Sequence, residues 1–310
     1  MNKRSISIVI PVYNSEQTIT TLHQRIVSVM AQLAGEYEII FVNDASFDSS
    51  WKEIKKIKEK NPSVVGINLM KNFGQHNALL CGIRKAKNEL IVTLDDDLQN
   101  PPEEIPKLIN KLNDSFDVVY GTPENERHGL FRNLASVLTK MALKTTMGVE
   151  NARNVSAFRA FRTELREAFK HYRGSFISID VLLTWGSNRF TAIPVKHDAR
   201  KGGKSNYTFR KLFIHALNMI TGFSVLPLQF ASLLGFVFAF FGLFVLIYVI
   251  TNFFLYGSPV QGFPFLASII SIFSGVQLLA IGIIGEYLAR MHFYAMDKPQ
   301  YVARGKIPNP

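Results

Sequence analysis

The chain has 310 residues, with 35 Lys plus Arg against 24 Asp plus Glu, a formal net charge of +11, and 47% hydrophobic residues including 25 Phe. Charged residues make up only 19% and mean hydropathy is +0.11, so the apolar excess is either a very large core or concentrated in one stretch. It is concentrated: no Asp, Glu, Lys or Arg occurs between Lys211 and Glu286, which excludes a purely soluble protein.

From the N-terminus, Asn2, Lys3 and Arg4 followed by an apolar run imitate a signal peptide. The run is short and β-branched, is broken by Pro11 and lacks a small-residue cleavage site, so it reads as a buried strand. Alternating β-branched runs and amphipathic stretches then predict strands at 5–12, 37–42, 64–68, 89–94 and 117–120. Helices are predicted between them at 16–34, 49–60, 75–85 and 102–112. This order implies an α/β domain with a mostly parallel sheet covered on both faces, and a ligand site at the carboxyl ends of its strands. The domain is expected to span 1–206 and to stay in the cytosol.

An amphipathic helix is expected at 207–222, suited to a membrane interface or to a core face. Two apolar runs follow, 227–256 and 263–289 within a region 223–289, and each exceeds the roughly 20 residues that cross a bilayer as a helix. They predict a transmembrane hairpin, with 290–310 as a tail. Arg200, Lys201, Lys204, Arg210 and Lys211 precede the first run, Arg290, Lys298, Arg304 and Lys306 follow the second, and the turn carries none. Both termini are therefore expected on the cytoplasmic side of a multi-pass inner-membrane protein. The same placement accounts for a pI near 9.6 without a nucleic-acid partner. Cys81 is the sole cysteine, so no intramolecular disulfide or cysteine metal site exists.

The polar residues gather at three strand ends: Pro11-Val12-Tyr13-Asn14, Asn43-Asp44-Ala45-Ser46, and Asp95-Asp96-Asp97-Leu98-Gln99. A helix entry accounts for Asn100, Pro101, Glu103 and Glu104, but not for Asp95 and Asp97. Crowded carboxylates at alternate positions suit a hard divalent cation bridging a diphosphate. No G-x-G-x-x-G or G-x-x-x-x-G-K-[ST] pattern occurs, so dinucleotide and P-loop sites lose support.

These segments, with Asp48, Lys71-Asn72-Phe73-Gly74, Pro101-Pro102-Glu103 and Arg200-Lys201-Gly202-Gly203-Lys204-Ser205, resemble family 2 glycosyltransferases of the GT-A type. The hairpin ending in Gly285-Glu286-Tyr287-Leu288 is similar to the polyprenyl-phosphate branch, which includes dolichol-phosphate mannose synthase and undecaprenyl-phosphate sugar transferases. The resemblance implies inverting transfer of one sugar from a nucleotide-diphosphate sugar, a UDP-sugar first, to a polyprenyl phosphate, making a lipid-linked sugar for the cell envelope. It implies that Pro11, Tyr13, Glu16, Asp44 and Lys71, with Asp95 and Asp96, hold the nucleotide-sugar, and that Asp95, Asp97 and Gln99 hold Mg²⁺ or Mn²⁺. Asp97, Arg127, Arg159 and Arg200 would serve catalysis, and Ser156, Arg162, Lys204 and Ser205 would meet the acceptor phosphate. Association with the bilayer and with further copies of the chain, as a homo-oligomer, follows from the same likeness.

The sequence departs from that family at Ser156-Ala157-Phe158-Arg159, where many relatives carry Gly-Asp-Phe-Arg. A hydroxyl acceptor needs a base there, whereas a phosphate monoester, with a second pKa of roughly 6, arrives as its own nucleophile. A hydroxyl-directed membrane transferase and a non-catalytic scaffold are the competing functions.

Overall fold

The computed structural model describes residues 4–33, 35–113, 115–124, 155–174, 177–198, 225–257 and 262–305. The chain divides into two units, Met1–Ala216 with Lys298–Pro310, and Leu217–Asp297. The sequence places the end of the globular unit at 206 and treats 290–310 as a tail; in the structure the chain from Lys298 returns to the globular unit. The expected interface helix at 207–222 lies outside the described residues.

The globular unit is an α/β domain built on a seven-stranded sheet of order β3-β2-β1-β4-β6-β5-β7. Its strands are β1 Ile6–Val12, β2 Tyr37–Asn43, β3 Val64–Asn68, β4 Leu90–Thr93, β5 Val118–Pro123, β6 Arg159–Arg162 and β7 Phe190–Val195. Helices α1 Ile19–Leu33, α2 Ser50–Lys60, α3 Gln75–Lys85 and α4 Ile105–Lys111 connect the early strands, and α5 Ile179–Thr184 precedes β7. Strands β3, β2, β1 and β4 run parallel, so each crossover needs a helix and both sheet faces are covered. All seven residues of β1 are accordingly buried. Helix α1 contributes Ile19, Leu22, Ile26, Val29 and Met30 to the core at helical spacing. Helix α3 approaches the sheet so closely that a Cβ on Gly82 would meet Val9 Cγ1 at 2.4 Å.

The sequence missed β6 and β7. Strand β6 runs antiparallel and inserts between β4 and β5, pairing Thr93 with Arg159 and Leu90 with Arg162. Strand β7 forms the outer edge, where Pro194 interrupts no inner ladder. Behind β4, the fully buried Arg159 forms an ion pair with Asp180 of α5. Its Nε donates to Thr93 Oγ1 at 3.1 Å, and Tyr120 OH donates to Asp180 Oδ1 at 3.0 Å. Burial and the Asp180 charge push the Tyr120 phenol well above its ordinary pKa, which keeps it a donor.

The second unit holds α6 Leu226–Tyr256 and α7 Phe263–Ala295, of 31 and 33 residues. Helix α7 runs past the expected end at 289, so Arg290 lies within it, paired with Glu286 at 2.7 Å. At 1.5 Å per residue each helix exceeds the ~30 Å of a hydrocarbon core. Both helices are long and apolar enough to cross a membrane. Phe236, Phe244 and Phe254 among others are exposed, a surface that water does not favour.

Asp180→Ala would strand the buried Arg159 charge. Removing one partner of such a pair costs about 3–5 kcal/mol, and the expected loss is read as a lower urea midpoint for the domain's transition.

Candidate active site

Four strand ends meet at one edge of the sheet. After β1 come Tyr13 to Glu16, after β2 Asp44 to Asp48, after β3 Leu69 to Gly74, and after β4 Leu94 to Gln99. Three of them require left-handed backbone at a non-glycine residue: Asn14 at φ 55°, Ala45 at φ 54° and Leu98 at φ 63°. Such conformations persist where surrounding bonds over-determine them, and they gather at functional sites. Here Asn14 N donates to Ser46 Oγ at 3.0 Å, and Phe47 N donates to Asn14 Oδ1 at 2.9 Å. Ser46 Oγ in turn donates to Asn43 Oδ1 at 2.6 Å.

The residues assigned to the nucleotide divide into two groups. Tyr13 projects from its loop, 42% exposed, and meets Phe47 of the adjoining loop, a residue outside the assigned set and 87% exposed, with ring centroids 6.3 Å apart edge to face. They offer apolar rings to a base. Lys71 is exposed, its Nζ 5.1 Å from the Phe73 ring centroid. The others are committed to protein partners. Asp44, nearly fully buried, accepts from Phe73 N at 2.7 Å and Gly74 N at 2.8 Å. Burial pushes its carboxyl up, and these two bonds partly counter it. Gly74 sits at φ 93°, a conformation that only glycine takes without strain, and this turns the loop into α3. Glu16 Oε2 accepts from Ser49 N at 2.8 Å, at the entry to α2. Pro11 is buried in β1 opposite Val42, one residue before the strand ends.

The three consecutive aspartates are handled separately. Asp95 accepts from Gln75 Nε2 at 2.6 Å, and burial together with the charges of Asp97 and Asp96 pushes its carboxyl up to about 7, against the field of Arg159. Asp96 accepts from Tyr13 N at 3.0 Å and Ser15 Oγ at 2.5 Å, and burial raises it to about 6. It fastens β4 to the loop after β1. Asp97 Oδ1 accepts from Gln99 N at 3.1 Å. Among the described residues no three His, Cys, Asp or Glu side chains form a ready metal cage. Mg²⁺ is commonly held by one or two carboxylates plus substrate phosphates and water, and the crowding of Asp95 by the charges of Asp97 and Asp96 fits that mode.

The segment 156–158 is tied to the same edge. Thr93 Oγ1 donates to the Ala157 carbonyl at 2.7 Å, and Ser156 Oγ accepts from Phe158 N at 3.2 Å. The β4–β6 pairing ends with Thr93 opposite Arg159, so Ala157 lies two residues before one strand and Asp95 two residues after the other. Two expectations fail here. Arg159 is buried in its ion pair with Asp180, so it positions the strand end and cannot touch substrate. Arg162 lies opposite Leu90, at the other end of β4, with its Nε 3.3 Å from Asp117 Oδ1, too far along the strand to meet an acceptor at the aspartates. Arg127, Arg200, Lys204 and Ser205 lie outside the described residues. Ser15, Phe47 and Gln75 were missed by sequence reasoning. Gln75 had a signal: it opens α3 directly after the Gly74 turn, facing the sheet edge that the ligand rule selects.

An open-edged, mostly parallel sheet with acidic residues at its strand ends defines a GT-A type nucleotide-sugar-binding domain. Residues 7–173, more than half of the chain, match Glycosyl transferase family 2, and the protein belongs to that family. The fold is also similar to glucosyl-3-phosphoglycerate synthase from Mycobacterium tuberculosis. Its complex with Mn²⁺, UDP and glucosyl-3-phosphoglycerate is 20% identical with a TM-score of 0.50, covering 70% of this chain and 78% of that one. Its complex with phosphoglyceric acid is 21% identical with a TM-score of 0.51, at the same coverage.

Two outcomes follow from this geometry. Ala45→Gly is expected to relieve left-handed strain and stabilise the domain by about 1 kcal/mol, read by denaturant titration. Asp95 has a folded pKa above its unfolded value of roughly 3.9, so in metal-free buffer the stability it contributes is complete below that value. It is lost as pH rises through about 7. Asp95→Asn is expected to flatten that loss, so that thermal midpoints at pH 5.5 and 8 lie closer together than in the parent chain.

Proposed function

We propose that this glycosyltransferase transfers one sugar, with inversion, from a nucleoside-diphosphate sugar to a polyprenyl phosphate at the cytoplasmic face of the inner membrane. A UDP-sugar is the favoured donor and undecaprenyl phosphate the favoured acceptor. The observation that carries the acceptor is the pair α6 and α7, two bilayer-length apolar helices in the same chain as a family 2 domain. Such helices would hold the chain where a lipid phosphate is presented. Basic residues flank the apolar stretch on both sides and are absent from its turn, which supports cytoplasmic termini.

Tyr13 and Phe47 would flank the base, with Asp44, whose oxygens each keep a second lone pair, beside it. Glu16 and Lys71 would contact the nucleotide-sugar from the loops after β1 and β3, with Asp96 holding the Tyr13 loop in place. Asp95, Asp97 and Gln99 would hold Mg²⁺ or Mn²⁺, and the related synthase was solved with Mn²⁺ and UDP. Bound there, the cation would neutralise charge on the departing nucleoside diphosphate. An acceptor phosphate oxygen would attack the anomeric carbon as the bond to the donor's diphosphate breaks, the diphosphate leaving with the electron pair. Arg127, Arg200, Lys204 and Ser205 supply phosphate ligands in this reading, with Ser156 at the edge of the site.

Ala157 supports a phosphate acceptor. Where many family 2 relatives carry a carboxylate, this chain has the methyl group of Ala157, whose carbonyl is held by Thr93 at the end of β4, and a phosphate needs no base to remove a proton. Purified protein in detergent with undecaprenyl phosphate, Mg²⁺ and a panel of UDP-, GDP- and dTDP-sugars is expected to yield a lipid heavier by one sugar in mass spectrometry. Asp97→Ala is expected to lower that yield at least about a hundredfold, in the range of losing a main electrostatic contributor. Sugar transfer to phosphoglycerate but not to the lipid would overturn the acceptor. A rise above about tenfold on Ala157→Asp would overturn the base-free step.

A further inference from the structure

We propose that residues 298–304 are a positioning strap for the donor site, an added edge segment that holds the loop after β3 in the shape that nucleotide-sugar binding requires. This rests on the donor site read above. Strand β3 is the outermost strand on its side of the sheet, and its outer edge would otherwise be open. The strap closes it at the end nearest the site. Leu69 bridges Ala303 in antiparallel fashion, Met70 N donates to the Val302 carbonyl at 2.8 Å, and Arg304 N donates to the Asn68 carbonyl at 2.7 Å.

A second set of contacts grips α3. Arg84 Nη1 donates to Gln300 Oε1 at 2.8 Å, and its guanidinium carbon lies 5.9 Å from the Tyr301 ring centroid. Gln300 Nε2 also donates to the Gly174 carbonyl at 3.2 Å. The strap therefore holds the start of the loop after β3 directly and, at Arg84, the last turn of the helix into which that loop leads. Between Met70 and α3 lie Lys71, Asn72, Phe73 and Gly74, which form no strand or helix. Phe73 N and Gly74 N are the two donors on Asp44, and Gln75, the first residue of α3, is the donor on Asp95. Asn68 carries a further link inward, since its Oδ1 accepts from Asn43 Nδ2 at 2.7 Å. The loops after β2, β3 and β4 are thus one or two hydrogen bonds from the strap, and the loop after β1 is one bond further, through Asp96 or Ser46.

Without the strap the loop gains backbone freedom, and the cost of ordering it falls on donor binding and not on the chemical step. The test uses the full-length protein in detergent. Arg304→Pro deletes the N–H given to Asn68, whereas Arg304→Ala keeps it. Arg304→Pro is expected to raise the Kd for UDP and the KM for the sugar donor about tenfold, leaving kcat at saturating donor within twofold. Arg304→Ala is expected to restore the affinity. Gln300→Ala, a milder change, is expected to speed amide hydrogen exchange across 69–75 with no loss of the domain's thermal transition. Unchanged UDP affinity in Arg304→Pro, unchanged exchange at 69–75 in Gln300→Ala, or a fall in kcat with KM untouched would each overturn the strap's role. A parent chain that binds none of UDP, GDP and dTDP would overturn the donor reading itself, and the strap's role with it.

Discussion

Three carboxylates in a row cannot all stay ionised at a half-buried sheet edge unless something answers each charge, and much of the polar architecture is that answer. Asp96 is given over to the Tyr13 loop, Asp97 to the backbone that follows it, and Asp95 to Gln75 and the field of Arg159. The answer for Asp95 is incomplete, since its carboxyl remains far above the ordinary range. Residual electrostatic tension of this kind is what a cation and a diphosphate would complete together. The positive charge of Arg159 cannot itself approach the ligand, because the buried Asp180 retains it.

The second constraint is conformational. Asn14, Ala45 and Leu98 hold left-handed backbone at the ends of three parallel strands, and bonds between Asn14 and the Ser46–Phe47 loop tie the first two of these ends together. A fold that strains the ends of its strands can aim several short loops at one point, at the expense of stability that a glycine would return. Asp44 and Glu16 belong to the same mesh, since each carboxylate ties its own loop to a neighbouring one.

The first four strands and the helices between them were legible because buried parallel strands are continuous β-branched runs and their helices are amphipathic over many residues. The acidic strand ends were legible because no helix cap accounts for Asp95 and Asp97. Strand β6 was not. Arg159-Ala160-Phe161-Arg162 has two apolar residues between arginines, and only its pairing across β4 and β5 makes it a strand. An arginine beside a phosphate site reads from sequence as a phosphate ligand; its actual partner, Asp180, lies 21 residues further along the chain. Arg162 misled for the opposite reason, since its three-residue separation from Arg159 along a strand carries it to the other edge of the sheet. The tail from Lys298 gave no strand signal at all, because a single antiparallel bridge needs only backbone.

That tail makes the globular unit discontinuous in the order of synthesis. Residues 298–304 follow both long apolar helices, so a ribosome completes the edge beside β3 only after the whole hairpin has been made. Until then the nascent domain carries an open strand edge next to the loop that Asp44 clamps. Completion of the sheet thus trails production of the segment suited to a bilayer. A fragment cut before α6 to obtain a water-soluble domain discards the segment that bridges Leu69 beside β3 as well as the helices.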